Sequence, residues 1–126
     1  MKYFVLIMLL ISLNACASPS DCQDPQTQSE MTNCAIKKLD NLEKEINKKI
    51  KYLSKTISDD KYFILANKSW EGYRDSHCAS ISNIYLGGSI YNYVITECKV
   101  NQSQVRLKAL ENDYKDTIDI ITKGAP

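Results

Sequence analysis

The densest group of chemically capable side chains in this 126-residue chain is Trp70-Glu71-Gly72-Tyr73-Arg74-Asp75-Ser76-His77-Cys78. A histidine beside a cysteine suggests thiol chemistry, in which the imidazole takes the proton of the nucleophile. Adjacent positions on a helix do not face each other, however, and an exported cysteine is expected in a disulfide. His77 is therefore read as a half-buried packing residue. Glu43, Glu45, Glu71 and Glu97 offer the paired carboxylates that glycoside hydrolysis uses, but any charged helix has such pairs and no spacing here sets one apart. No catalytic residue is assigned, and the protein is not expected to be an enzyme. Trp, Tyr and Arg also dominate binding hot spots. The preferred reading of Trp70 and Tyr73 is nevertheless structural, because a small core depends on its few large aromatics.

Cysteine is the next reactive type, with five in the chain. Cys16 belongs to the leader, which leaves Cys22, Cys34, Cys78 and Cys98, an even number that reads as two disulfides in a short exported protein. Their separations of 12, 44 and 20 contain no Cys-x-x-Cys pair, and His77 is the single histidine, so neither a metal nor any other cofactor is expected.

The leader follows from Lys2, the apolar run Tyr3 to Ile11, and Ser12-Leu13-Asn14-Ala15-Cys16-Ala17: a charged, then apolar, then small-residue order that marks an export signal. The run is too short to span a bilayer, which takes about 20 apolar residues. Two processing readings stay open. Leu13-Asn14-Ala15-Cys16 resembles a lipobox, with residues 1–16 as signal region and Cys16 lipidated, whereas Ala15-Cys16-Ala17 fits ordinary cleavage after residue 17. The lipobox is preferred, because a cysteine directly after an apolar run and a small residue is otherwise a coincidence. The protein is then a periplasmic or outer-membrane lipoprotein, touching a membrane only through that anchor.

Residues 17–28 are polar, contain Pro19 and Pro25, and read as an extended tether. A helical domain over 29–122 follows. Met31, Ala35, Leu39, Leu42, Ile46, Ile50, Leu53 and Ile57 recur every three or four positions, as one long amphipathic helix requires. Ser58-Asp59-Asp60 offers a cap for a second helix, whose stripe of Phe63, Ala66, Trp70, Tyr73 and His77 should lie against the first. Gly87-Gly88-Ser89 allows positive φ and then a cap at Ser89 for a third helix from about Ile90 to Ile120, carrying Tyr93, Val100, Leu107, Leu110 and Tyr114. The fold class is thus all-α: a small antiparallel bundle of about three helices stapled by two disulfides.

Cys78 and Cys98 stand ten residues on either side of Gly88, so a hairpin turning there sets them level and pairs them. Cys22 is left for Cys34, and each closure stabilises the fold by about 3 kcal/mol. The same symmetry sets Trp70 opposite Arg106, where ring and guanidinium can stack. The 16 basic and 15 acidic residues nearly cancel. No basic stripe of the kind nucleic acid requires is apparent, and Lys37-Lys38 and Lys48-Lys49 are read as a solvated helix face, so nucleic acid is not expected as a partner.

Taken together, these residues resemble the LprI-type lysozyme-inhibitor domain family of exported bacterial proteins, from Cys22 to about Leu110. Cys22 and Cys34 match its opening pair, and Leu42-Glu43-Lys44-Glu45-Ile46-Asn47 is similar to its Asp-x-x-Leu-Asn motif. Asn67, Trp70, Tyr73, Arg74, Asp75 and Cys78 fit its Gln-x-x-Trp-x-x-Tyr/Phe-Arg-Asp-x-x-Cys run. Gly87-Gly88-Ser89, Cys98, Ser103, Arg106 and Leu110 fit its close. Glu43 stands for Asp, Asn67 for Gln, Ser103 for Thr, and Ile50 where Tyr is frequent. The resemblance implies a protein that binds and inhibits a lysozyme-type muramidase. Asn47, Trp70, Tyr73, Arg74, Asp75 and Arg106 read as structural motif residues, so the inhibitory surface is sought in the exposed turn at Tyr85, Gly87, Gly88 and Ser89. A plug for a cleft of two carboxylates needs hydrogen-bond donors or a cation. Immunity against another envelope hydrolase or toxin, and a non-inhibitory structural or stress role, are the competing readings.

Overall fold

The structure is a computed structural model that describes residues 22–57 and 60–124. The leader, Cys16 and the first part of the tether lie outside the described residues. Four α-helices and a 3-10 turn follow in order: α1 Gln28–Ile57, α2 Lys61–Ser82, the 3-10 turn Asn83–Tyr85, α3 Tyr91–Asn112 and α4 Lys115–Lys123. Among the described residues there is no strand, so the all-α reading holds, with three long helices and a short fourth.

Each helix starts for a local reason. At α1 the side chain of Thr27 accepts from Glu30 N at 3.2 Å, while Glu30 Oε2 accepts from Thr27 N at 3.0 Å and Gln26 N at 2.8 Å. This reciprocal capping box starts the helix at Gln28, so the last tether residue is already helical. At α2 the expected acceptor is Asp60, whose Oδ1 takes Tyr62 N at 2.8 Å and Phe63 N at 3.2 Å. At α3 the expectation fails: the cap residue is Ile90, with no side-chain cap bond, so Ser89 does not serve. Of the two turn glycines only Gly87 takes positive φ, at +80°.

The expected third helix also ends early. It breaks at Asp113 and Tyr114, the latter with φ −100° and ψ 2°, before α4 resumes. Asn112 and Asp113 are poor helix formers, and the break turns Tyr114 and Ile118 onto the core. There the Tyr114 ring meets Phe63 edge-on at 5.1 Å.

Ile46, Leu53, Phe63 and Leu110 form the buried cluster, with Ile50, Ile57, Trp70, Leu107, Tyr114 and Ile118 packed around it. α3 is the central element, packing along α1 and against α2. This corrects the expectation that α2 lies chiefly on α1. α1 and α3 run parallel: Ser89 and Asn92 stand beside Gln28 to Asn33 at one end, and Glu111 pairs with Lys49 at the other. α2 returns between them in direction. The Cys78–Cys98 bridge, with Cα atoms 5.6 Å apart, closes the α2–α3 hairpin, and Cys22–Cys34 ties the tether to α1.

Candidate functional site

Two regions carry the candidate residues: a polar and aromatic seam inside the bundle, and the exposed turn at its end. In the seam, Asn67 Nδ2 donates to Phe63 O at 2.7 Å, which leaves Oδ1 to accept from Arg106 Nη2 at 2.7 Å. Arg74 is buried and links two carboxylates: Nη1 donates to Glu43 Oε1 on α1 at 2.8 Å, and Nε to Asp75 Oδ1 at 3.0 Å. Lys99 of α3 reaches the same Asp75 oxygen at 3.2 Å. The guanidinium carbons of Arg74 and Arg106 stand over the Trp70 ring, 5.1 and 5.6 Å from its centre. The hairpin symmetry about Gly88 thus does place Arg106 against Trp70.

The inward face of α2 differs from the expected stripe. Asn67 and Arg74 are buried, whereas Ala66 and Tyr73 are exposed. A buried guanidinium is tolerable only if paired and hydrogen-bonded, and here Glu43 and Asp75 supply both. Tyr73 instead stacks on His77 at the surface, with ring centres 5.2 Å apart. Asn47 is exposed on α1.

These contacts define what the seam can do. Partial burial pulls the Asp75 carboxyl upward, but hydrogen bonds and charge from Arg74 and Lys99 outweigh it and hold the pKa below the usual aspartate value. Asp75 therefore sits as an ionised acceptor, and Glu43 is engaged by the Arg74 guanidinium. Cys78 Sγ is bonded to Cys98, so His77 has no thiol beside it to activate. Among the described residues no three of His, Cys, Asp or Glu gather in a way that would hold a metal ion. Ser82 Oγ, Ser103 Oγ and Arg106 Nε are buried with no hydrogen-bond partner among the described residues. The seam joins three helices.

The turn is different. Ile84 is 81% and Leu86 67% exposed, and Ile81, Tyr85 and Ile90 are exposed around them. Between Asp75 and Glu97 the chain has no Asp, Glu, Lys or Arg. Backbone bonds from Leu86 N to Asn83 O at 3.1 Å, Gly88 N to Tyr85 O at 2.9 Å and Tyr91 N to Gly88 O at 3.2 Å fix its course. Ser89 also borders a polar cleft of about 290 Å³ against the first turns of α1. The structure gathers Tyr85, Gly87, Gly88 and Ser89 here and keeps them apart from the Trp70 seam. The turn carries no cation, so its donors are the Tyr85 and Ser89 hydroxyls, set in an apolar surface. Sequence reasoning missed Lys99, the bridging of Arg74 to Glu43, and the Thr27-x-x-Glu30 box; the last was legible as a motif.

The described residues form an all-helical domain with two local disulfides, a charge-paired internal seam and an exposed apolar turn. It belongs to the LprI family: the family model described as Lysozyme inhibitor LprI matches residues 19–110. The match ends at the buried Leu110, so α4 lies beyond it. No curated protein and no solved structure matches the chain. The family takes its description from inhibition of lysozyme. Among the described residues no helix is long and apolar enough to cross a membrane.

Proposed function

We propose that this chain binds a lysozyme-type muramidase in the cell envelope and inhibits it by setting the turn from Ile84 to Ser89 against the enzyme's cleft. The observation that carries this reading is the exposure of Ile84 and Leu86 on a turn pinned by the Cys78–Cys98 bridge. Burying exposed apolar side chains that are already held in place supplies binding energy without a large ordering cost. Tyr85 and Ser89 add hydroxyls that reach for polar groups at the rim. Residues 1–16 act as the export signal, and Cys16 is the lipid-bearing first residue.

The test is muramidase activity on a cell-wall suspension, with and without near-equimolar oxidised protein, across several lysozyme classes. Dose-dependent inhibition is expected. Tyr85→Ala with Ser89→Ala, and separately Ile84→Ser with Leu86→Ser, should remove it while the melting temperature stays unchanged. Inhibition that survives both pairs would exclude the turn. No inhibition of any class would exclude the muramidase reading and direct the search to a cognate envelope toxin.

A further inference from the structure

Four lysines of α1, Lys44, Lys48, Lys51 and Lys55, follow at intervals of 4, 3 and 4, and all are exposed. At about 100° per residue they fall on one line within roughly 60° of arc and run for about 16 Å. The line lies on the side of the helix opposite the buried Ile46 and Leu53. None of the four has a carboxylate within ion-pairing distance among the described residues; Lys49, off the line, is the one that holds Glu111, at 3.8 Å. In a chain of net charge +1 this is a local concentration of positive charge that the sequence reading, which saw only short clusters, did not reveal. A cation in the last turn favours the helix dipole. That accounts for Lys55, not for Lys44 and Lys48, more than two turns from the end at Ile57.

We propose that this lysine line docks on the anionic phospholipid headgroups of a membrane, laying α1 along the surface. Charge complementarity gives the first argument. The Cys22–Cys34 bridge gives the second, because it ties the tether to α1 at Cys34. That point is about 70° round the helix from the middle of the line. Cys16 stands six residues before Cys22, so a lipid there holds the domain within about 20 Å of the bilayer. The lysine contact goes beyond the inhibitor reading and beyond the anchor; the anchor strengthens it, but the experiment does not use it.

The chain from Ala17 contains every described element and both disulfides, and is sedimented unlipidated with vesicles at low salt. One set is phosphatidylglycerol and phosphatidylcholine at one to three, the other phosphatidylcholine alone. Binding to the first only is expected, with loss at high salt. Each lysine near an anionic surface contributes about fivefold. Replacing all four by Gln should thus weaken binding by about a hundredfold or more, whereas Lys68, Lys108, Lys115 and Lys123 all changed to Gln should leave most of it. Lys48→Gln with Lys55→Gln gives the same comparison if the fourfold variant does not fold. Equal loss in both fourfold variants, equal binding to neutral vesicles, or binding to inorganic polyphosphate without binding to vesicles would each overturn the proposal. Muramidase inhibition by the fourfold variant, measured alongside, separates this result from the fate of the inhibitor reading.

Discussion

Arg74 on α2 donates to Glu43 on α1 at 2.8 Å, across 31 positions of sequence, while its guanidinium rests over the ring of Trp70. One side chain thereby spans from α2 to α1 and supports the largest aromatic at the edge of the core. Arg74→Ala leaves Glu43 and Asp75 without their shared donor and should cost about 2–3 kcal/mol, reduced from the fully buried case because both carboxylates are partly exposed. Arg74→Lys should fall nearer to the alanine variant than to the parent, since one ammonium cannot serve carboxylates lying in two directions. Thermal melts of the two variants check this.

Asp75 makes stability depend on acid. Its pKa is lower folded than unfolded, owing to Arg74 and Lys99 acting against partial burial. The stabilisation is therefore full above the ordinary aspartate range and is lost as pH falls through the depressed folded value. Asp75→Asn should melt lower than the parent at pH 6, and the gap should narrow toward pH 2. A gap that stays constant with pH would show that the ion pair is not the cause.

The two disulfides should open in a fixed order. Cys22 is exposed, whereas Cys78 is 0% exposed, so a mild reductant reaches the first bridge before the second. Trapping with an alkylating reagent and mass analysis should find Cys22 and Cys34 labelled first. Replacing Cys78 and Cys98 together by Ser should cost about 3 kcal/mol, the loop entropy of a ring this size.

Two glycines should respond with opposite sign. Gly87 has φ +80°, a conformation that a Cβ strains, so Gly87→Ala should destabilise by about 1 kcal/mol. Gly72 sits inside α2 with nothing within 4 Å of an added Cβ, so Gly72→Ala should stabilise by about 1 kcal/mol. Denaturant titration of both resolves the difference.

Helix identity was legible because periodicity and turn residues speak locally. The pairing of Cys78 with Cys98 was legible because a hairpin is symmetric about its turn. Which face of α2 points inward was not, because Tyr73 and Arg74 stand three and four positions after Trp70 and both suit helical spacing. Apolarity favours Tyr73, and only Glu43, distant in sequence, makes Arg74 the inner residue. The departures from the family pattern show the same logic. Glu43 carries the contact to Arg74, Asn67 the contact to Arg106, Ile50 packs on the core, and Ser103 is fully buried. The break before α4 was hidden because Leu110, Tyr114 and Ile118 keep the spacing of an unbroken helix. The lysine line was hidden because neighbours in the chain, Lys48 and Lys49, take different sides of α1.

The covalent rings 22–34 and 78–98 do not overlap and share no element. Cut once in the link between Ile57 and Asp60, the chain would become two peptides, each still cyclised in part, with no covalent bond between them. Their cohesion would then rest on Glu43 reaching Arg74, on Lys49 reaching Glu111, and on Ile46 and Leu53 seated in the shared core. Crosslinking here makes each half stiff without fastening the halves together. Apart from that one peptide link, the domain is held together as a noncovalent complex of α1 with a closed hairpin.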